Sequence, residues 1–212
     1  MANSARMAAR RIASATTADK SAALRSAAEH VRAAMPQVLA ANAQDMAAGA
    51  ANGLSAALLD RLLLDEPRVL AIASALDAVA ALPDPVGQQI DTATVPSGLT
   101  LERVRVPLGV IGIIYESRPN VTADAAALAL MAGNAVILRG GSEAVHSNRA
   151  IHAALSAGVI AAGLPAAAVQ LVPTQDRAAV GAMLRASGLI DIIIPRGGKS
   201  LVARVQEEAR VP

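Results

Sequence analysis

Two glycine pairs, each beside an arginine, are the residues of this sequence best suited to hold a phosphate group. Each pair follows a short apolar run and precedes a helical pattern, so unpaired backbone amides and the helix dipole favour an anion there. One such pair alone would be equally consistent with a tight turn, but two predict a site for a dinucleotide or another phosphorylated ligand. The two segments consist of Arg139, Gly140, Gly141 and Ser142, and of Pro195, Arg196, Gly197 and Gly198.

A third polar segment, Tyr115–Asn120, follows the apolar run Val110–Ile114. The run is rich in β-branched residues, which is typical of a strand that is buried on both faces. Open α/β sheets bind their ligands at the carboxyl ends of such strands. We therefore expect this segment to border the same site as the two glycine pairs.

Spacing excludes three better-known motifs. Gly198-Lys199-Ser200 is not the end of a nucleotide-hydrolase phosphate loop, because the first glycine of that motif would fall at Ile193. Gly109 and Gly112 do not form the usual dinucleotide-binding pattern, and Lys199 is expected to be a solvated residue at a helix start. The histidines at positions 146 and 152 lack an acidic or cysteine partner at ligand spacing, so no metal site is predicted.

Composition excludes other classes of function. The 212 residues include one Tyr, no Phe and no Trp, and the net charge is +2, so nothing favours binding to nucleic acid. There is no cysteine, and therefore no disulfide, thiolate metal site or thiol nucleophile. The longest uncharged run, 153–169, is interrupted by Gly163 and Pro165 and is not expected to span a membrane.

The elements that position the three segments form a regular alternation from residue 109 onward. Four strand and helix pairs in series predict an α/β fold, a doubly wound parallel sheet with helices on both faces. Right-handed crossovers then bring every loop from a strand to a helix to one edge of the sheet. The predicted strands are 109–114, 134–138, 168–172 and 189–194, and the predicted helices are 122–131, 143–162, 176–186 and 199–210.

The first half of the chain divides into helices and a hairpin. Residues 5–50 and the segment from Asp65 to Pro83 have helical composition with proline and glycine at their ends. Two alternating runs joined by Pro96-Ser97-Gly98 predict a β-hairpin, which is either a solvated element or an arm that pairs with a second subunit. We predict a helical region at 1–88, a hairpin arm at 89–106 and a sheet core at 107–212.

Several stretches of this sequence resemble the gamma-glutamyl phosphate reductases, also called glutamate-5-semialdehyde dehydrogenases, a branch of the aldehyde dehydrogenase superfamily. The resemblance implies a Rossmann-like core and a hairpin that joins subunits into a homo-oligomer. It spans nearly the whole chain, and its most specific parts are YESRPN and ILRGG. The similar stretches are Val106–Thr122, Gly133–Glu143, Asp191–Gly198, Ala41–Asp45, Ala51–Ser55, Asp84–Gly87 and Leu101–Arg103.

The activity that this resemblance implies is a step of L-proline biosynthesis in the cytoplasm. NADPH reduces L-glutamyl 5-phosphate to L-glutamate 5-semialdehyde, and phosphate is released. In the family a cysteine thiolate displaces the phosphate to form a thioester, which is a good acceptor of hydride. A glutamate 5-kinase of the same pathway is a further possible partner.

The resemblance also assigns roles to individual residues. A gapless match puts Arg118 where most aldehyde dehydrogenases have an oxyanion asparagine, and its planar guanidinium would suit the substrate phosphate. Arg118 could instead be a plain surface residue, and Asn120 either contacts substrate or caps the next helix. Ile114, Tyr115 and the eight residues of the two glycine segments are implied to contact the cofactor. Because no acid follows Arg139 through Ser142 to bind the ribose, NADP is favoured over NAD.

The sequence departs from the family pattern in one respect, since it contains no cysteine. We therefore expect it to cover about the amino-terminal half of such an enzyme and to be unable to turn over substrate by itself. A competing hypothesis is a binding module that holds a nucleotide or phosphate without chemistry. A fragment that binds nothing is a third, because an incomplete sheet exposes an open edge.

Overall fold

The computed structural model describes residues 1–212, which begin with a series of helices. Three of them start at polar caps: Thr16 and Asp19 form a reciprocal capping box, and Ser55 and Asp65 each accept a backbone amide. The helices are α1 (Ala2–Ala13), α2 (Thr17–Ala33), α3 (Met35–Ala51), α4 (Ala56–Leu62) and α5 (Glu66–Ala80). The short α4 was not predicted, because Ser55 is its only local signal. The remaining helical expectations for this region are confirmed.

The predicted hairpin is present as two antiparallel strands, β1 (Gln89–Thr94) and β2 (Thr100–Val104). Every residue of both strands is exposed, including Ile90 and Leu101. At the base of the hairpin the Gly87 N–H donates to the Arg105 carbonyl, and the Arg105 N–H donates to the Gln88 carbonyl, both at 2.9 Å. It contacts no other sheet of the chain.

The alternation of strands and helices after the hairpin is confirmed, with boundaries shifted by one to three residues. The elements are β3 (Val110–Tyr115), α6 (Val121–Met131), β4 (Ala135–Arg139), α7 (Val145–Ala161), β5 (Val169–Leu171), α8 (Arg177–Leu184), β6 (Ile192–Arg196) and α9 (Lys199–Glu208). The largest shift is at β6, where a turn through Gly188 with a positive φ of 77° delays the strand.

The four later strands form one parallel sheet in the order β5-β4-β3-β6. The chain moves outward from β3 to β5 and then crosses to the other side of β3, which makes the sheet doubly wound with its switch point between β3 and β6. All four strands point the same way, so the loops that follow β3, β4 and β6 lie at one edge. The predicted fold class and the predicted clustering of these loops are both confirmed.

Successive side chains of β3 point to opposite faces of the sheet. Ile111 and Ile113 face α6, whereas Gly112 faces Met183 of α8. A Cβ atom at Gly112 would lie 2.5 Å from Cδ1 of Ile193 on the neighbouring strand, which leaves no room for a side chain. Helices α2 and α5 pack outside α6 and α7, so the first half of the chain joins the sheet in one hydrophobic core. The core is aliphatic, and Tyr115 is its only aromatic residue. None of the helices has the length and apolar composition needed to cross a bilayer.

Candidate functional site

The carboxyl ends of β3 and β4 open into a cavity of about 870 Å³, which we call the first cavity. It is bounded by the loops after these strands and by the first turns of α7, α8 and α9. Five residues of the predicted cofactor site line it: Ile114, Tyr115, Arg139, Gly141 and Ser142. Glu116 and Ser117, from the segment expected to border the site, also line it. Other residues that line it had no predicted role in binding, among them Asp45, Glu143, His146, Gln175, Arg177, Ser200 and Arg204.

Tyr115 lies at the floor of this cavity, and its hydroxyl is buried in hydrogen bonds within the protein. It is 1% exposed, and its hydroxyl lies 2.7 Å from Oγ1 of Thr122, which in turn donates to Asn148 at 3.1 Å. Burial raises the pKa of the Tyr115 hydroxyl to about 12, so the phenol stays neutral at ordinary pH. The side chain is suited to shaping the cavity and not to moving a proton.

Arg139 is held in the cavity wall by backbone carbonyls. Its guanidinium donates to the carbonyl of Gly140 at 3.0 Å and to that of Gln175 at 2.9 Å, and no carboxylate is hydrogen-bonded to it. Burial lowers the pKa of this arginine. The Nε atom of Arg139 and the Oε1 atom of Gln175 are buried without a partner, so both retain capacity for a polar ligand.

The first glycine pair allows close packing within the chain, in addition to any role in binding a ligand. A Cβ atom at Gly140 would lie 2.2 Å from the Asn148 amide nitrogen, and one at Gly141 would lie 2.5 Å from the Glu143 carboxylate. Gly140 therefore has to be glycine for the loop to lie on α7. Ser142 is exposed at the cavity mouth and opens a single 3-10 turn.

Glu143 and Glu116 line the site, although the sequence assigned neither of them a role of its own. Glu143 accepts hydrogen bonds from the backbone and hydroxyl of Ser117, at 2.5 and 2.8 Å, and Ser117 has a positive φ of 54°. Glu116 accepts from the backbone N–H of Gly198 at 2.8 Å, at the start of α9. The only signal in the sequence was the presence of an acid next to each polar loop.

The contact of Glu116 shows what the start of α9 binds. A carboxylate oxygen is an anionic acceptor, and it occupies the position that a helix N-terminus offers to phosphate oxygens. A Cβ atom at Gly197 would lie 2.3 Å from that oxygen, so glycine is what allows the anion to approach. The residues present therefore fit an anionic group of a cofactor at this helix start.

Arg196 of the second glycine segment does not line the first cavity with Arg139. Arg139 is in register with Ile114, whereas Arg196 is in register with Tyr115, one residue further along β3. Side chains alternate between the two faces of a sheet, so these two arginines project to opposite faces. Arg196 lines a separate apolar groove with Ile113 and four α6 residues, and Pro195 lines neither cavity.

Arg118 and Asn120 lie in a second cavity of about 490 Å³, on the other side of the β3 loop. Arg118 is exposed and its side chain makes no hydrogen bond within the chain, while Arg68 in the same cavity is paired with Asp60 at 2.7 Å. Asn120 stands at the start of α6, but its amide donates to Asp124 at 2.8 Å and does not cap the helix. The loop 115–120 thus separates the cavity that contains Arg139 from the one that contains Arg118.

Asp45 borders the first cavity but acts on the fold. Its carboxylate accepts the backbone amides of His146 and Ser147 at 3.1 and 2.7 Å, which fixes the first turn of α7. Asn42, one turn earlier, donates to the Leu62 carbonyl at 2.8 Å and accepts from the Leu64 amide at 2.8 Å. This pair explains the segment 41–45 as structural. No three His, Asp or Glu side chains cluster as a metal ion would require.

Comparison with known proteins assigns the family. A model of the aldehyde dehydrogenase family matches residues 1–211. The chain belongs to the aldehyde dehydrogenase family. This assignment agrees with the doubly wound sheet and with the cavity at its strand ends. Members of this family use a nicotinamide cofactor.

Relatives within the aldehyde dehydrogenase family narrow the resemblance to one branch. Gamma-glutamyl phosphate reductase of Sphingopyxis alaskensis is 76% identical over 208 residues, which are 98% of this chain and 48% of that protein. The crystal structure of gamma-glutamyl phosphate reductase from Thermotoga maritima has a TM-score of 0.95 and 39% identity, and the match covers 100% of this chain and 51% of that one. For the Saccharomyces cerevisiae enzyme the TM-score is 0.91 at 31% identity, with 100% and 54% covered. The chain thus spans about half the length of these relatives.

Proposed function

We propose that this chain forms the cofactor-binding part of a gamma-glutamyl phosphate reductase that works in the cytoplasm. The reaction is the reduction of L-glutamyl 5-phosphate by NADPH to L-glutamate 5-semialdehyde, with release of phosphate, in proline biosynthesis. The observation that carries the proposal is the first cavity, in which the start of α9 already receives an anionic oxygen from Glu116. The relatives that bear this enzyme's name support the choice of reaction.

In this proposal the cofactor lies across the strand ends on the α8 and α9 side of the sheet. The Gly198 amide and the dipole of α9 bind the pyrophosphate, and Arg139 lies beside the ribose. Ile114 and Tyr115 form an apolar floor, because both side chains are buried. NADPH supplies the hydride when bound, and these residues orient it and exclude water.

The substrate occupies the second cavity in this proposal. The Arg118 guanidinium is free of carboxylate partners and can bind the phosphate of the acyl phosphate with two parallel hydrogen bonds. Asn120 lies in the same cavity and supplies an amide. Since the cavities adjoin the two sides of loop 115–120, this loop would lie between cofactor and substrate.

The thiol that accepts the acyl group has to come from outside these 212 residues, which contain no cysteine. We therefore expect the chain to bind cofactor without turning over substrate. We also propose that the exposed hairpin 89–104 pairs with a second subunit, and that the substrate is delivered by a glutamate 5-kinase.

Calorimetric titration of the chain with NADPH tests the proposal. We expect a dissociation constant in the micromolar range, roughly −8 kcal/mol, because the cavity engages only part of the ligand through preformed amides. Replacing Gly198 by Pro removes the amide N–H while keeping φ, which is −69° and matches proline. We expect that variant to weaken NADPH binding about tenfold, the loss of one hydrogen bond to a charged group.

Gly198→Ala is the matched control, because it keeps the N–H and its Cβ would be no closer than 3.8 Å to Glu116. It should bind NADPH like the unmodified chain. Failure of the unmodified chain to bind NADPH would contradict the proposal. Binding of ATP in preference to NADPH would favour the alternative of a nucleotide-binding module without catalysis.

A further inference from the structure

The first cavity contains arginines that do not pair with the carboxylates lining the same cavity. Three arginines line it, Arg139, Arg177 and Arg204, and so do three acids. The carboxylate of Asp45 accepts amides of α7, that of Glu116 accepts the Gly198 amide, and that of Glu143 accepts from Ser117. All three acids are therefore engaged by backbone N–H groups and none by an arginine.

Of the three arginines, only Arg204 has a carboxylate partner, since it donates to Glu208 at 2.9 Å. Arg139 is bound only to backbone carbonyls, and one of them belongs to Gln175, two residues before Arg177. Arg177 is exposed, and its side chain makes no hydrogen bond or ion pair within the chain. Burial is the main cause of the lowered pKa of Arg139; the charge of Glu143 opposes this shift, whereas the charges of Arg177 and Arg204 add to it.

The position of Arg177 also runs against helix electrostatics. It is the first residue of α8, where the helix dipole disfavours a cation. The neighbouring acid does not compensate, because the Asp176 carboxylate caps α8 by accepting the Ala178 amide at 2.8 Å. Arg177 therefore contributes little to the fold, and it borders the cavity in which the Arg139 guanidinium also lacks a carboxylate partner.

We propose that Arg177, together with Arg139, forms a subsite for a phosphate monoester, and that this subsite selects a dinucleotide carrying a ribose 2′-phosphate. Both guanidinium groups line the same cavity without a carboxylate partner, so a phosphate dianion would supply the anionic acceptor that neither has within the chain. This inference rests on the proposed function and adds to it the residue that distinguishes NADPH from NADH. Arg177 acts here as a specificity residue and does not touch the reacting atoms.

Titration of NADPH and NADH into the unmodified chain and into Arg177→Gln tests the subsite, because the two ligands differ by a single phosphate. We expect the unmodified chain to prefer NADPH. The variant should bind NADPH about tenfold more weakly while its affinity for NADH stays within about twofold, as expected for a charge-assisted hydrogen bond that only one ligand makes. Adenosine 2′,5′-bisphosphate should show the same loss, and adenosine 5′-monophosphate should not.

Arg185→Gln is the control, because it removes the same charge from the opposite end of α8 at a residue that does not line the cavity. If Arg177→Gln is unfolded by circular dichroism, Arg177→Lys decides instead, and we expect an intermediate loss because lysine keeps the charge without the planar fork. An equal loss for both dinucleotides, no loss, or no preference in the unmodified chain overturns the inference. Binding of neither dinucleotide to the unmodified chain contradicts the proposed function, and this inference falls with it.

Discussion

Glu116 and Glu143 show that carboxylates of the chain itself occupy donors suited to a ligand. Glu116 accepts from Gly198 at 2.8 Å and Glu143 accepts from Ser117 at 2.5 Å. Without these acids the start of α9 and the strained turn at Ser117 would each present an unpaired amide. A dinucleotide that uses the Gly198 amide must therefore displace the Glu116 carboxylate, and affinity reflects the difference between the two anions.

Glu116→Gln is expected to tighten NADPH binding about two- to fivefold. An anion at a helix N-terminus contributes about 0.3 to 1 kcal/mol, which corresponds to a change of this size. The neutral amide competes less well for the Gly198 N–H and removes a repulsive charge from a polyanion site. Titration at low ionic strength measures the change, since salt screens it. Glu207→Gln, an exposed residue of the same helix, should leave affinity unchanged. Weaker NADPH binding by the Glu116 variant would show instead that the carboxylate organises the site.

At the scale of elements, buried polar side chains join helices and loops that are distant in sequence. Asp45 of α3 fixes the start of α7, and Asp84 joins the base of the hairpin to α2. Asp84 accepts from Lys20 at 2.5 Å, from Thr17 at 2.8 Å and from the Val86 amide at 3.0 Å, and the Lys20 side chain is 1% exposed. A buried ammonium has no alternative partner here, so Asp84 is required wherever Lys20 is retained.

Asp84→Asn is expected to lower the free energy of unfolding at pH 7 by about 3 kcal/mol, because it leaves the buried Lys20 without a counter-ion. Burial opposes the charged form of Asp84, but its hydrogen bonds with Lys20, Val86 and Thr17 outweigh that effect and lower its pKa below 3.8. The carboxylate therefore stabilises the fold above pH 3.8, and this contribution is lost as the pH falls through the lowered pKa. Urea unfolding should thus show a smaller difference between variant and unmodified chain at pH 3 than at pH 7.

Asp77→Asn is the control for this experiment, because Asp77 pairs with Arg32 on the surface, where both side chains are about 40% exposed. We expect a loss of less than about 1 kcal/mol. The double variant Lys20→Met and Asp84→Ala should recover most of the lost stability, since an apolar pair replaces the ion pair. A cost at Asp84 as small as that at Asp77 would contradict the argument.

At the scale of the whole molecule, the hairpin is the part that its own chain leaves without a partner. Both strands are exposed along their full length, and Ile90, Leu99 and Leu101 retain 52%, 65% and 54% of their accessible surface. A two-stranded ribbon that stands apart from the core is only marginally stable in water. Contact with a second copy of the chain would cover the exposed apolar side chains and the free edges.

Leu101→Asp is therefore expected to shift the chain from oligomer to monomer in size-exclusion chromatography with light scattering. A charge on the apolar face of the hairpin would have to be buried without a partner in the contact. Thr100→Asp is the matched control, because the adjacent residue of β2 projects to the other face of the ribbon. If both variants have the mass of the unmodified chain, the hairpin is not the contact.

The sequence by itself determined the order of the elements, the parallel sheet and the edge at which its loops meet. These features depend on local periodicity, on caps and on the handedness of crossovers, all of which can be derived from neighbouring residues. The short helix α4 was not predicted, because Ser55 is a weak start signal and seven residues are too few to show a helical period of apolar residues. The glycine pairs and the loop 115–120 were likewise identified from residue types and spacing.

Only the tertiary structure decided which side chains share a cavity. A shift of one residue in the register of β6 against β3 sends Arg196 to the face opposite Arg139, and no local pattern encodes that register. The contacts of Glu116 with Gly198 and of Glu143 with Ser117 join residues 82 and 26 positions apart. The role proposed for Arg177 depends on the tertiary structure in the same way, because only the assembled cavity shows that neither Arg139 nor Arg177 has a carboxylate partner.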